Sequence, residues 1–97
     1  MATISKKDIV KKIAEQTQAK QIVVRDVVQS FIDEMVSELE NNNRLEFRGF
    51  GIFEVKNRSS RIAQNPKTLE KVQVEAKRTV KFKMGRLMKQ KLEVVKE

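Results

Sequence analysis

The spacing of apolar residues changes its period at Asn41-Asn42-Asn43, and this change limits the folds open to the chain. Before the three asparagines, apolar residues recur at the three- and four-residue spacing of helices. After them, apolar and polar residues alternate as they do in strands. A chain of 97 residues has room for one domain. We therefore expect a single α+β domain over residues 1–97, with helices first and a sheet second.

Two N-terminal helices are predicted. Ser5, with Asp8 three residues later, resembles a capping box, so the first helix is expected from about Ser5 to Gln16. The second is expected from Gln21 to Glu40. Its apolar residues cover an arc wider than one stripe, so this helix should pack on two sides. The helical part, about residues 5–40, is the predicted dimerisation region.

Three strands and a closing helix are predicted after the asparagines. The pattern indicates a strand at 44–48, a turn at 49–51, a second strand at 52–56 and a third running from 72 to 82. The outward positions of the third strand include Lys77, Lys81 and Lys83. The sheet and its arm should span about residues 44–83, and an amphipathic basic helix should follow over about 84–96.

The segment between the second and third strands, residues 56–71, offers a core only Ile62, Ala63 and Leu69. We predict that it forms an extended two-stranded arm. About a dozen residues per side, at roughly 3.3 Å each, would reach about 40 Å. Because an isolated ribbon of this kind is marginal in water, it needs a ligand to lie against.

The charge of the chain is uneven. Lys and Arg number 21 against 13 Asp and Glu, which gives a formal net charge of +8. Residues 1–43 carry six basic and seven acidic side chains, whereas residues 44–97 carry fifteen basic and six acidic. The predicted sheet, arm and last helix therefore hold the positive field, which indicates a polyanionic partner.

Several classes of function lack the residues that they need. The chain has no Cys and no His, which removes disulfides, thiolate nucleophiles, imidazole bases and the usual zinc and haem ligands. We find no catalytic constellation, metal site, cofactor site or small-molecule substrate site. The N-terminal segment is charged by residue 6 and has no apolar leader, and no apolar run approaches the length of a membrane helix. A cytoplasmic protein that does not contact membranes is expected.

A set of motifs then occurs in order along the second half of the chain: Arg48-Gly49-Phe50-Gly51-Ile52-Phe53, Arg58, Arg61, Asn65-Pro66-Lys67-Thr68, and Val80-Lys81-Phe82-Lys83 with Gly85. Together they resemble the HU and integration host factor family of bacterial histone-like DNA-binding proteins, from Ser5 to about Leu92. The resemblance implies an intertwined dimer, two helices and a three-stranded antiparallel sheet in each subunit, and two β-ribbon arms that wrap duplex DNA. The arm tips would enter the minor groove, where Pro66 would wedge between base pairs and bend the duplex.

The resemblance, with the charge pattern, gives a set of expected DNA-binding residues: Lys6, Arg48, Lys56, Arg58, Arg61, Gln64, Asn65, Pro66, Lys67, Lys71, Lys77, Arg78, Lys81, Lys83, Arg86 and Lys89. Four phenylalanines that alternate near the glycines are expected in the core or dimer interface and not as platforms for bases, namely Phe47, Phe50, Phe53 and Phe82. Phe31 of the second helix is expected in the same dimer core. This chain departs from the family at Ala63-Gln64, where Gly-Arg is common, and at Leu69, where glycine is usual. A turn with positive φ at Leu69 would be strained.

The expected function is an architectural, nucleoid-associated DNA-binding protein that bends duplex DNA with low sequence specificity, as HU does. Two alternatives stay open. A bender with site preference, like integration host factor, would read groove width and deformability. A basic RNA-associated structural protein would carry the same charge. The partner subunit is expected to be a second copy, and a homologue is the alternative.

Overall fold

The computed structural model describes residues 1–58 and 61–93, including all of their side chains except those of Arg61 and Val74. The chain divides into two compact units, one of residues 1–37 and one that begins at Glu38. The first unit is helical. The second contains all of the described strands and the last helix.

Helix α1 spans Lys6–Thr17 and begins with the predicted capping box. The Asp8 backbone N–H donates to the Ser5 hydroxyl at 3.3 Å, and the Ser5 backbone N–H donates to the Asp8 carboxylate at 3.0 Å. These two bonds satisfy amide groups that have no partner inside the helix. The helix ends at Gln18, which adopts a left-handed conformation with φ 57°.

Helix α2 spans Gln21–Glu40, the bounds expected from the sequence. Val24 is buried with Val10 and Ala14 of α1, and Ile13 and Val28 pack against this cluster. These three are the buried apolar residues in the part of the chain that the structure describes. A second stripe on α2 remains exposed in the single chain, with Val23, Val27 and Phe31 exposed by 51%, 63% and 55%.

The sheet has three antiparallel strands in the order β1-β2-β5, namely β1 (Leu45–Phe47), β2 (Gly51–Arg58) and β5 (Lys77–Met84). The register pairs Leu45 with Phe53 and Phe53 with Phe82. The sheet therefore has one apolar face, whose members are Leu45, Phe47, Phe53, Val55, Val80, Phe82 and Met84. The expectation of a three-stranded antiparallel sheet is confirmed.

The turn between β1 and β2 depends on two glycines. Gly49 has a φ of 79°, a conformation that glycine adopts without the steric cost of a side chain. Gly51 lies so close to β5 that a Cβ atom there would overlap the carbonyl oxygen of Lys83 and the ring of Phe82. Each glycine therefore meets a separate requirement of this corner.

The arm is a separate two-stranded ladder of β3 (Arg61–Gln64) and β4 (Lys71–Val74). The prediction of a single third strand from 72 to 82 is wrong, because the strand is interrupted at Glu75 and Ala76. Glutamate and alanine are both depleted in strands, which fits a break at this position. The β2–β5 ladder ends at the pair Arg58–Lys77, and the arm ladder begins at the pair Arg61–Val74.

Helix α3 spans Arg86–Glu93. The predicted start at residue 84 is wrong, since Met84 is the last residue of β5 and pairs with Gly51. Residues 94–96 of the predicted helix lie outside the described residues. The helix is tied to the β1–β2 turn by two backbone bonds, from Gly85 N–H to the Phe50 carbonyl at 2.8 Å and from Met88 N–H to the Gly49 carbonyl at 3.0 Å.

Candidate nucleic-acid interface

Five cations share one face of the β2–β5 ladder. Residues paired directly across an antiparallel ladder lie on the same face, and alternate residues of one strand do so too. Arg58 lies opposite Lys77, and Lys81 lies opposite Glu54. The polar face of the sheet, as we call it, therefore carries Lys56, Arg58, Lys77, Lys81 and Lys83, all of them exposed.

Glu54 lies within this polar face and pairs with the cations around it. Its carboxylate is 3.2 Å from Lys56 Nζ and 3.7 Å from Arg44 Nη1. The hydrogen bond and charge of Lys56, followed by the more distant charges of Arg44 and Lys83, lower the pKa of Glu54 below its ordinary value of 4.5. The glutamate is thus charged at neutral pH and neutralises part of the cationic surface. Arg44 was not among the expected site residues. Its position next to Leu45 in the alternating pattern nevertheless indicated that it lies on the polar face of the sheet.

Arg78 lies on the opposite face from Lys77 and Lys81. Its Nη1 donates to the Glu40 carbonyl at 2.9 Å and to Asn42 Oδ1 at 3.1 Å. The guanidinium therefore ties β5 to the C-terminal end of α2. The geometry does not bring Arg78 together with the other expected DNA-binding cations of the sheet.

The arm tip is a closed loop over residues 65–70. The Asn65 N–H donates to the Glu70 carbonyl and the Leu69 N–H to the Asn65 carbonyl, both at 2.8 Å. The Asn65 side-chain oxygen accepts from the Lys67 N–H at 2.9 Å. Leu69 adopts a φ of 61°, the positive value expected to be strained. The expected tip residues are exposed in or beside this loop, namely Gln64, Asn65, Pro66, Lys67 and Lys71.

A shallow cavity of about 380 Å³ lies between the β1–β2 turn and α3. It is lined by Arg48, Gly49 and Phe50 of the turn and by Leu87, Met88, Lys91 and Leu92 of α3.

Two expected DNA-binding residues, Arg86 and Lys89, are exposed on α3. Lys89 Nζ is 3.8 Å from the Glu93 carboxylate, one helical turn away. Lys91, which lines the cavity, belongs to the same basic helix but was not among the expected DNA-binding residues.

The remaining expected residues stand apart from these groups. Lys6 lies on α1, where its ammonium donates to the Gln29 side chain. Arg61 pairs with Val74 through its backbone, and its side chain is not among those that the structure describes.

Four of the expected core phenylalanines form one cluster. In it, the ring centroids of Phe53 and Phe82 are 4.8 Å apart, and those of Phe50 and Phe82 are 5.4 Å apart. Phe47 completes it at 6.2 Å from Phe53, whereas Phe31 lies on α2 in the first unit.

Residues 4–93 match the family described as "Bacterial DNA-binding protein". The chain belongs to this family. Among its relatives, integration host factor subunit alpha of Haemophilus influenzae is 36% identical over 96 residues, which cover 99% of this chain and all of that protein. The probable DNA-binding protein HU of Chlamydia trachomatis is 37% identical over 94 residues, covering 96% and 94%.

The fold of this bacterial DNA-binding protein also agrees with solved structures. The HU of the Anabaena HU–DNA cocrystal structure superposes with a TM-score of 0.80 at 27% identity, covering 93% of this chain and 98% of that one. A mutant HU from Thermotoga maritima superposes with a TM-score of 0.69 at 22% identity, which supports the fold alone. The resemblance to HU and integration host factor, and the α+β fold that it implied, are confirmed.

Metal sites and membrane spans are both absent from the described residues. Within residues 1–58 and 61–93, no group of three or more acidic, His or Cys side chains could hold a metal ion. In the same part of the chain, no helix is both long and apolar enough to span a bilayer.

Proposed function

We propose that this bacterial DNA-binding protein acts as a dimer that holds duplex DNA through its phosphates and minor groove and bends it. The observation that carries the proposal is the set of five cations on the polar face of the sheet, together with a ribbon whose tip residues are exposed. A row of Lys and Arg side chains matches the repeating charge of a phosphate backbone, and the release of counterions favours binding. The Anabaena relative was crystallised with DNA, which supports the same partner here.

Each part of the surface has a role in this proposal. Cations at the polar face and on the last helix contact phosphates and set the position of the duplex, as such contacts generally do. The arm enters the minor groove, where Pro66 at its tip inserts between base pairs. Proline suits this role because it presents a rigid apolar ring and has no backbone N–H to leave unpaired. The bend costs a few kcal/mol per unstacked step and is offset by additional phosphate contacts.

Dimerisation is supported by the apolar surface that a single chain leaves uncovered. The stripe Val23, Val27 and Phe31 on α2 is more than half exposed. On the sheet, Val80 is 55% exposed and Phe82 is 38% exposed. Apolar faces of this extent usually mark an interface. We infer that a second copy of the chain covers them, and that the expected core phenylalanines contribute to the interface.

We propose that the protein is not an enzyme, because binding and bending DNA requires no chemical reaction. Its charge and family favour association with the nucleoid. Low sequence preference follows from binding that depends on phosphates, which carry no sequence information. Relatives named HU and integration host factor are almost equally similar, at 37% and 36% identity, so binding with site preference is the second candidate.

The test is a competition experiment at several salt concentrations. We expect the affinity for an arbitrary DNA duplex to fall linearly with the logarithm of salt, with a slope of about 0.9 per contacted phosphate. An unlabelled RNA duplex should compete poorly. An affinity independent of salt, or a preference for the RNA duplex, would overturn the proposal. Strong competition by only a few members of a random duplex pool would instead favour site preference.

A further inference from the structure

Leu69 combines an unfavourable backbone conformation with an exposed apolar side chain. Its φ of 61° is in the left-handed region, where the Cβ atom of an L-residue crowds the backbone. The residue is 68% exposed, so burial within its own chain does not compensate for the conformation. Such a combination, when the surrounding structure maintains it, indicates a functional constraint.

Hydrogen bonds on both sides hold Leu69 in this conformation. Its backbone N–H donates to the Asn65 carbonyl at 2.8 Å, and its carbonyl accepts from the Gln64 side chain at 3.3 Å. The neighbouring Glu70 carbonyl accepts from the Asn65 N–H at 2.8 Å, which closes the loop. The loop thus fixes where the leucine side chain projects, which lowers the entropic cost of using it in a contact.

The composition of the loop indicates the kind of partner. Of residues 65–70, only Pro66 and Leu69 are apolar, and both are exposed. Lys67 lies between them and Lys71 follows the loop, while Glu70 is its one acidic member. Two apolar side chains flanked by cations suit a partner with an anionic rim and an apolar interior. The minor groove of duplex DNA, with phosphates outside and stacked bases inside, has this character.

We propose that Leu69 is a second apolar wedge, which enters the minor groove together with Pro66 and increases the bend. Leucine is one of the side chains that proteins insert between base steps. The left-handed backbone at Leu69 holds the side chain at the tip. This inference rests on the proposed function, and it assigns to the arm a contact beyond the single proline.

Three variants separate the apolar side chain from the shape of the loop. Leu69→Gly relieves the backbone strain but removes the side chain. Leu69→Asn keeps a side chain that tolerates positive φ and makes it polar. Leu69→Met keeps the apolar character. We expect the Gly and Asn variants to bind a labelled duplex more weakly, by about tenfold or more, and to bend it less, since they lose the burial of one apolar side chain. The Met variant should behave like the unaltered protein.

Binding and end-to-end energy transfer on one labelled duplex provide the readouts, together with the thermal stability of each free variant. Unchanged bending and affinity in the Gly and Asn variants would overturn the inference, particularly if the Gly variant is more stable. Equal losses in the Met and Asn variants would overturn it too, because the shape of the loop would then be the cause. Failure of the unaltered protein to bind or bend DNA would instead count against the proposed function, so the two failures are distinguishable.

Discussion

Arg78 on β5 donates a hydrogen bond of 2.9 Å to the backbone carbonyl of Glu40, the last residue of α2. The same guanidinium nitrogen reaches the Asn42 side chain at 3.1 Å. A carbonyl at the end of a helix has no partner inside that helix, and here a cation supplies one. We therefore expect Arg78 to stabilise the connection between α2 and the sheet.

Replacing Arg78 should therefore affect folding more than DNA binding. We expect Arg78→Ala to lower the free energy of unfolding by about 1 kcal/mol, the usual net value of a hydrogen bond. Denaturant unfolding measures this. The salt dependence of DNA binding should stay as in the unaltered protein. Lys81→Ala is the matched control, because it removes one charge from the polar face and should reduce the salt slope without destabilising the fold. The reverse pattern would contradict this assignment.

Arg58 and Lys77 face each other at the end of the β2–β5 ladder, where the arm begins. The double variant Arg58→Ala with Lys77→Ala should flatten the dependence of affinity on salt, by about 0.9 for each phosphate that the protein no longer neutralises. A titration of a labelled duplex at several salt concentrations gives the slope. Lys12→Ala with Lys20→Ala removes the same charge from the helical unit and should change the slope less. A slope in the Arg58 and Lys77 double variant equal to that of the unaltered protein would mean that these two residues do not bind phosphates.

Glu54 forms ion pairs with two cations at the proposed phosphate-binding face. We expect Glu54→Gln to bind duplex DNA about two- to fivefold more tightly, the size of effect expected from one exposed ion pair. The amide keeps the shape of the side chain but frees Lys56 and Arg44 from a negative charge. Glu15→Gln on α1 makes the same change in net charge and serves as the control. If both variants tighten binding equally, net charge and not the position of Glu54 is responsible.

The capping box predicts a pH dependence of stability. Hydrogen bonds from the Ser5 backbone, and then from its hydroxyl, lower the pKa of Asp8 below the ordinary value of 3.8. Because the folded-state pKa is depressed, this contribution is complete above 3.8 and is lost as the pH falls through the lower, folded-state pKa. Asp8→Asn should therefore lose stability at neutral pH and show a shallower decline in acid. Denaturant unfolding from neutral pH down to about pH 2 tests this. Parallel curves for the two proteins would contradict it.

Local sequence patterns were sufficient for the helical part of the fold. Ser5 and Asp8 predicted the start of α1, and the apolar pattern together with the stop at Asn41-Asn42-Asn43 predicted the bounds of α2, because caps, breakers and helical periodicity depend on nearby residues. The strands were harder, since their ends depend on partners distant in sequence. Met84 was assigned to the last helix because nothing local revealed that it pairs with Gly51. The break at Glu75 and Ala76 was missed although both residue types are depleted in strands, because the alternating pattern was continued through them.

The candidate site residues could be named from sequence but not sorted into surfaces. Lys77 and Arg78 are adjacent, and both were expected on DNA because both are basic. Alternation along a strand already implies that they face opposite ways, and the ladder register assigns Lys77 to the polar face. The partnership of Glu54 with Arg44 needed the structure, because it crosses between two strands. The strain at Leu69 was anticipated from the sequence, whereas its exposure became apparent only in the structure.

The most direct test of DNA bending compares the unaltered protein with Pro66→Ala on one end-labelled duplex. Energy transfer between the ends reports bending, and a titration of the same duplex reports affinity. We predict that the unaltered protein shortens the end-to-end distance, and that Pro66→Ala reduces this shortening more than it reduces affinity, since phosphate contacts supply most of the binding. Binding by the unaltered protein with no change in end-to-end distance would contradict the account.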